Sequence, residues 1–489
     1  LTLLDPIQTT ATVTNNHAYY VFDTLYSVGP DGVSKPQMAE GHEISADGLV
    51  WTIKLRDGLK FHDGTPVRAA DCIASIQRWA GPDPFGQLLL DALDSFKVVD
   101  DRSFAVHLKR PFPLLALALG KPDSRVPFIM PERLVKGVAA TAPVKEMIGS
   151  GPYKFMAKEY VSGSKVVYEK FADYQPRSEK VVWATGGKVA YYPRIEWTII
   201  ADAATTVAAL QNGEIDWWEQ PLPDLLPKLA RDKNIQLQVD QPWGRISEMQ
   251  LNQLQAPFNN VKVRRAVEMA VRQEDYMRAT FGDDQSLWRT CKDVFPYGTP
   301  YYTGQDAALM TGDLKMAAQM LKESGYNGEK TVIINPTDFA AIHPQGLVTA
   351  DILKKIGMNV DLQETDWGTV VQRRTRMEPV EKGGWSIFHT FRSASSMATP
   401  ATSTALTGRG KQGWFGWWDN PEAVRLTNEW LTAPDEAGQK KAAHALSHVA
   451  MTDVGTIVVG QWYGKTAFRK SITGVLQGLA PYPWNVRPA

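Results

Sequence analysis

The chain has 489 residues, more than one hydrophobic core serves, so several domains are expected. Lys plus Arg and Asp plus Glu each number 53, and this zero net charge argues against the basic footprint of a nucleic-acid binder. No apolar run approaches the ~18 residues a membrane helix needs, and no signal-peptide pattern opens the chain, so it reads as cytosolic or as a mature or trimmed form.

In chain order, residues 49–55 alternate Trp51, Ile53 and Leu55 with Thr52 and Lys54, a period-two strand. Two Asp-Gly turns bracket a second short strand at 59–61, and Thr65-Pro66 opens a helix that carries on through 69–79. Residues 94–108 read as two strands around a turn at 99–102. A breaker at 149–153 precedes a hairpin over 153–168, and 195–200 is a strand. The helix at 203–211 closes on Gly213, and 235–239 is extended. Residues 261–277 read as one long helix with Val263, Ala266, Val267, Ala270 and Val271 on a face. Helices at 314–324 and 345–356 alternate with strands at 331–335 and 359–363, a βαβ rhythm that implies a partly parallel sheet. Helices at 421–431 and 436–450 follow. Only Cys72 and Cys291 occur, far apart and without CxxC partners, which excludes zinc and redox motifs. Trp is abundant, with 16 residues, as many as Tyr.

Four ordered stretches carry a resemblance. They are "AEGHEISADGLVWTIKLRDGLKFHDGTPVRAADCIASIQRW", "GSGPYKF", "AALQNGEIDWW" and "LNQLQAPFNNVKVRRAVEMAV". In that order they resemble the family 5 solute-binding proteins of bacterial ABC importers, the peptide, opine and nickel class. The resemblance implies an α/β fold, a two-lobe periplasmic-binding-protein fold with a hinge and an extra α+β domain inserted in lobe one. Carried onto this chain, lobe one is 1–26, 149–255 and 468–489, the extra domain is 27–148, and lobe two is 256–467. It also implies a periplasmic monomer whose signal peptide has been removed. Such a protein closes its hinge on a small-molecule ligand and docks on a membrane ABC permease, with no nucleic-acid partner, cofactor or metal. The Asp-Gly stretch then belongs to scaffold and not to chemistry.

The remaining motifs are weighed residue by residue. Gly408 to Gly413 matches GxGxxG, but a weak strand precedes it and no helix opens directly after it, so a loop rim is the better reading. His444 and His448 stand four apart without a third ligand, which reads as a solvated helix face. Trp414-Phe415-Gly416-Trp417-Trp418 packs four rings into five residues; they cannot all face one core, so some cover other surfaces or a ligand. Trp217 and Trp218 pose the same problem, with one ring expected inward and one toward the cleft. In peptide-binding members the stretch matching 366–395 carries a Trp, an Arg and an Asp for the ligand's amino group. Trp367 and Arg374 fall where the Trp and one Arg would, but 391–395 is Phe-Arg-Ser-Ala-Ser, without an Asp.

A buried ammonium without a carboxylate is costly, so Arg374, His389 and Arg392 imply a ligand rich in carboxylate or hydroxyl groups. A solvated basic face of Arg373, Arg374 and Arg376 is the alternative. The candidate ligand set is Tyr19, Trp217, Trp218, Gln253, Trp367, Arg374, Trp385, His389, Phe391, Arg392, Trp414, Trp417 and Tyr463. The expected function is capture of an opine, sugar-acid conjugate or short peptide. The competing reading is a hydrolase of small conjugates using His389 with Glu378 or Glu381.

Overall fold

The alternating run becomes the strand Val50–Leu55, with Trp51, Ile53 and Leu55 buried and Lys54 exposed. This and the following descriptions come from a computed structural model that describes residues 1–489 apart from 31, 124 and 434. The strand is flanked by Ala39–Ile44 and Ser103–Leu108, and Leu93–Val98 completes a four-stranded antiparallel sheet. Residues 59–61 form no strand and make only one bridge, between Lys60 and Pro66. The helix begins later than expected, at Ala69. Thr65 is held in the preceding turn, its hydroxyl donating to Asp63 at 2.7 Å. The first helical turn is instead closed by Asp71, whose carboxylate accepts from the Arg68 N–H at 2.8 Å.

The chain divides into two compact units. Unit 1 holds Leu1–Pro221, Leu225–Asp240 and Lys465–Ala489, and unit 2 holds Leu222–Asp224 and Gln241–Gly464. Residues 27–148 fall inside unit 1. The chain therefore changes units at 240/241 and 464/465, earlier than the boundaries at 255 and 467 expected from the motifs. Strand pairing gives the reason. Arg245–Leu251 is bonded on both sides by unit 2 strands, while Lys465–Arg469 pairs with Ile235–Val239 and Trp217–Trp218 in unit 1. Unit 1 also contains the helix Thr12–Val21 and a sheet of Tyr153–Phe155, Lys165–Lys170 and Arg194–Thr198.

Unit 2 is built on a six-stranded sheet. From edge to edge the strands are Trp288–Arg289, Ile457–Trp462, Arg245–Leu251, Ile387–Ser393, Lys330–Pro336 and Asn359–Thr365. The βαβ rhythm lies at its parallel edge: Lys330–Pro336 pairs in parallel with Asn359–Thr365 across the helix His343–Lys355. The expected long helix at 261–277 is two helices, Val261–Ala270 and Gln273–Phe281. The break has a tertiary cause. The Gln273 amide donates to the carbonyls of Cys291 at 2.8 Å and Val458 at 2.9 Å and accepts from the Cys291 N–H at 2.7 Å. Val271, in extended backbone, lets the chain turn to make those bonds. Cys72 and Cys291 are both buried free thiols.

Asp23–Lys188 is one of several buried ion pairs in unit 1, beside Asp5–Arg78 and Asp83–Lys121. Asp23 accepts from Lys188 Nζ at 2.7 Å and from the Tyr174 hydroxyl at 2.8 Å, and both charged side chains are 2% exposed. Removing one partner leaves a buried, uncompensated charge. Lys188→Met is expected to lose about 3–5 kcal/mol of unfolding free energy in a denaturant titration, and Lys188→Met with Asp23→Asn to recover part of it.

Candidate functional site

Strands Lys330–Pro336, Asn359–Thr365 and Ile387–Ser393 run parallel, so their carboxyl ends lie at one end of the unit 2 sheet. Ligands of open α/β sheets gather at that end. Arg245–Leu251 runs antiparallel to Ile387–Ser393, so Arg245 pairs with Ser393 on one side and with Trp462 on the other. The Arg245 guanidinium carbon stands 4.9 Å from the Trp462 ring centre and 6.0 Å from that of Phe391. With the Gln241 amide oriented to suit its neighbours, its oxygen accepts from Arg245 Nη2 at 3.2 Å and its nitrogen donates to the Ser393 hydroxyl at 3.0 Å. The segments after the parallel strands add two rings. Phe339 lies edge-on to Phe391 at 5.5 Å and to Trp367 at 5.2 Å.

Pairing register places Phe388, Thr390 and Arg392 beside Gln250, Glu248 and Ile246 on one face of the sheet. Arg392 and Glu248 are diagonal neighbours, and Arg392 Nε donates to Glu248 Oε2 at 2.5 Å. The other carboxylate oxygen accepts from the Thr456 hydroxyl at 3.4 Å, and Thr456 in turn accepts from Gln250 at 2.7 Å. The Arg392 guanidinium carbon lies 3.8 Å from the Trp414 ring centre. Arg374, 2% exposed, sits among four rings, 5.0 Å from Phe415, 5.7 Å from Trp367 and 5.8 Å from both Phe388 and Trp414. Two donors on touching side chains, Arg392 Nη2 and Trp414 Nε1, are buried without an acceptor. Such groups cost about 1–3 kcal/mol each until something meets them.

The description "Bacterial extracellular solute-binding proteins, family 5 Middle" matches residues 34–414. A probable peptide ABC transporter periplasmic-binding protein of Sinorhizobium fredii is 37% identical over 493 residues, covering 100% of this chain and 92% of that protein. The chain belongs to family 5 of the bacterial extracellular solute-binding proteins. The glutathione-binding protein GsiB of Pectobacterium atrosepticum is 27% identical over 405 residues, covering 81% of this chain and 73% of that protein. In fold, the chain matches the binding protein AgaA of A. tumefaciens R10, solved with agropinic acid, at a TM-score of 0.83 and 21% identity, over 100% of this chain and 96% of that one. The α/β two-lobe periplasmic-binding-protein fold is therefore that of this family 5 protein. Among the described residues, no helix is long and apolar enough to cross a membrane.

The expected ligand residues of this solute-binding protein are not all brought to one place. Arg374, Arg392, Trp414 and Trp367 are brought together as described, whereas Phe391 lies on the other face of the sheet beside Arg245 and Trp462 and reaches Trp367 only through Phe339. Trp385 and Trp417 are core residues of the same cluster: Trp385 is fully buried and its Nε1 donates to the Arg374 carbonyl at 3.1 Å, so it braces the arginine from behind. Tyr19 is also a core residue, in unit 1, ringed by Phe128, Tyr482 and Trp484 with its hydroxyl donating to the Pro122 carbonyl.

Trp217 and Trp218 do not split into one inward and one open ring. Each is half-buried against a different apolar cluster, Trp217 on Phe468, Ile472 and Val486, Trp218 on Val207, Leu210, Leu229 and Ile235. Gln253 bonds to the carbonyls of Val454 and Gly455, a loop-holding role. Tyr463 is half-buried beside Gly244. The four rings after Gly413 separate because Gly416 and Trp417 take positive φ: Trp414 and Trp417 enter the cluster, Phe415 lies at its margin, and Trp418 turns away to donate to Asp453 at 2.7 Å.

Arg373 and Arg376 do not share Arg374's setting. Arg373 bonds to Gln363 and to the carbonyls of Gly383 and Gly384, and Arg376 is exposed. Gly408 to Gly413 forms a loop with a short 3₁₀ turn. His448 pairs with Asp306 at 2.9 Å, and among the described residues no group of three His, Cys, Asp or Glu could hold a metal ion. Sequence reasoning missed Arg245, Glu248, Phe339 and Trp462. The charges inside the extended run "RISEMQL" were the available signal, since buried charges need partners.

His389 lies on the opposite face of the sheet. Its Nε2 shares a hydrogen bond with Thr349 Oγ1 at 2.9 Å, and that hydroxyl meets the Tyr276 hydroxyl at 2.9 Å. Burial pushes its pKa from 6.5 down to about 3, against a smaller opposing influence from the Glu248 backbone. The unfolded chain takes up this proton below about pH 6.5, and the folded chain only near 3. Stability contributed by the neutral ring is therefore present above 6.5 and lost as pH falls toward 3. At pH 5 the loss from this one group is about 2 kcal/mol. Buried His17, lowered to about 3, and His62, lowered to about 4, add to it. Urea melts at pH 7 and pH 5 are expected to show a clear fall in stability, and His389→Gln to lose about 2 kcal/mol less over that interval than the unsubstituted protein.

Proposed function

We propose that this family 5 protein is the periplasmic, monomeric receptor of an ABC importer, capturing a small acid-bearing solute and delivering it to the membrane permease. The ligand class is an opine, a sugar-acid conjugate or a short peptide. The observation that carries this reading is the Arg392–Trp414 pair, whose Nη2 and Nε1 donors are buried without acceptors on side chains 3.8 Å apart. A carboxylate or hydroxyl oxygen is the group they lack. Arg374 in its aromatic surround and the rings of Trp367 and Phe415 extend the same surface for stacking. The names of the relatives support the reading: one is named for peptides and the periplasm, one for glutathione, and AgaA was solved with agropinic acid. The hydrolase alternative needs His389 beside Glu378 or Glu381. His389 bonds to Thr349 instead, and both glutamates are exposed.

Calorimetry against opines, oligosaccharides and di- to pentapeptides tests the ligand class, and saturable binding of an acid-bearing member is the expected result. Tight binding of neutral oligosaccharides alone would overturn it. Arg392→Ala is a poor probe, because it strands Glu248, which is fully buried. Arg392→Lys keeps a charge but not the guanidinium fork, and Trp414→Phe keeps a ring but not its N–H. Each is expected to weaken the acid-bearing ligand by about tenfold or more, the equivalent of one charge-assisted bond of about 1.5–3 kcal/mol. Saturating ligand is also expected to lower the radius of gyration in solution scattering, since capture that rearranges the units is how such a receptor signals its load. Superimposable curves with and without ligand would count against capture by closure.

A further inference from the structure

Arg392 meets Glu248 through half of its fork. Its Nε donates to Glu248 Oε2 at 2.5 Å, while Nη2, on the same edge of the guanidinium, is buried without an acceptor. One carboxylate commonly spans both donors of that edge, and such paired bonds are among the strongest that arginine makes. The glutamate itself offers little resistance, because the last torsion of its side chain is soft. Yet Glu248 leaves the second donor open.

Glu248 Oε1 is drawn elsewhere. It accepts from the Thr456 hydroxyl at 3.4 Å, and among the described residues no other donor meets it. That bond is long, but its direction is enforced. Gln250 Nε2 donates to the same hydroxyl at 2.7 Å, which leaves the hydroxyl proton for Glu248. Glu248, Gln250 and Thr456 are each at most 2% exposed, so water does not compete for these bonds. The turn that carries Thr456 is anchored on several sides. Asp453 accepts from Trp418 Nε1 at 2.7 Å, Asn420 Nδ2 at 2.9 Å and Arg264 Nη2 at 3.0 Å. Gln253 Nε2 donates to the Val454 and Gly455 carbonyls. Trp418 and Asn420 follow Trp414 on one loop, so the turn and the ring against Arg392 are set by a common frame.

We propose that Thr456 is a positioning residue that keeps the Arg392 fork half open. By holding Oε1, it confines Glu248 to Nε and leaves Nη2 for the acid of the solute. Without the hydroxyl, Glu248 turns to meet Nε and Nη2 together and closes the donor from inside the protein. This role rests on the acid-binding reading of Nη2 and accounts for why that donor stays available.

The test uses the full chain carrying Thr456→Val, which fills nearly the same space without the hydroxyl, and Thr456→Ser, which keeps the hydroxyl. Crystal structures without solute are read for a hydrogen bond between Glu248 Oε1 and Arg392 Nη2. It is expected to form in Thr456→Val and to be absent in Thr456→Ser and in the unsubstituted protein. In calorimetry against octopine, glucuronic acid and trialanine, at least one probe is expected to bind the unsubstituted protein. Its affinity is expected to fall about tenfold in Thr456→Val and to change little in Thr456→Ser. If the stranded Gln250 amide keeps Thr456→Val from folding, Thr456→Val with Gln250→Leu takes its place. A fork still open in Thr456→Val crystals, or an equal loss of affinity in Thr456→Ser, overturns the proposal. A closed fork with unchanged affinity instead overturns the acid-binding role of Nη2. If no probe binds, that role falls as well, and the crystal structures alone decide whether Thr456 holds the fork open.

Discussion

The Arg392–Glu248 ion pair is the constraint around which unit 2 is organised. Glu248 is fully buried and Arg392 is 8% exposed, so neither charge is hydrated enough to survive alone. They sit on the two neighbouring central strands, where a slip of one residue would send each to the opposite face. A register that separates them strands two charges in the core. The pair thus fixes how Arg245–Leu251 aligns with Ile387–Ser393, and with it the pairing of Arg245 with Ser393. It also fixes Arg392 over the Trp414 face. Glu248 takes Nε, so Nη2 is held in place yet left unmet. Buried pairs of this kind add little net stability compared with apolar packing, and their value here is positional.

The elements legible in the sequence were those whose surroundings are uniform. Val50–Leu55 has one wet and one dry face, so its alternation survives in the structure. The helix Ala203–Asn212 ends at Gly213 with φ 82°, a local requirement that glycine meets without strain. Arg245–Leu251 had no such signature, because all seven residues are buried and the dry environment erases the two-residue period. The helix break at Val271–Arg272 was also invisible, since its cause is Gln273 bonding to Cys291 and Val458, far along the chain. Thr65 looked like a helix cap by type, but Asp63, two residues earlier, claimed its hydroxyl first.

The site was legible by residue type and illegible by pairing. A run of four rings and two arginines without a nearby acid could be noticed in sequence, and Arg374, Arg392 and Trp414 do converge. Which aromatic side chains were merely structural could not be read. Trp385 carries the same ring as Trp414 and shares its cluster but is spent on packing, and only the pairing of the two indole N–H groups separates the uses: the Trp385 Nε1 is met by the Arg374 carbonyl and the Trp414 Nε1 is not. Arg245, Glu248 and Thr456 were missed for the converse reason. Their significance lies in contacts spanning up to 208 residues, as between Glu248 and Thr456.

The distribution of unmet polar groups carries the last step. A protein selected for stability alone would satisfy Arg392 Nη2 and Trp414 Nε1 internally, since each unmet group lowers stability. Arg392 is instead held rigid by a neighbour that already uses the other half of its fork, Glu248 on Nε. A group half-satisfied in this way has lost its rotamer freedom before the solute arrives, so binding costs less ordering entropy. Selectivity then follows from which polar groups the fold leaves unfinished, with the apolar rings supplying area that many solutes could use equally.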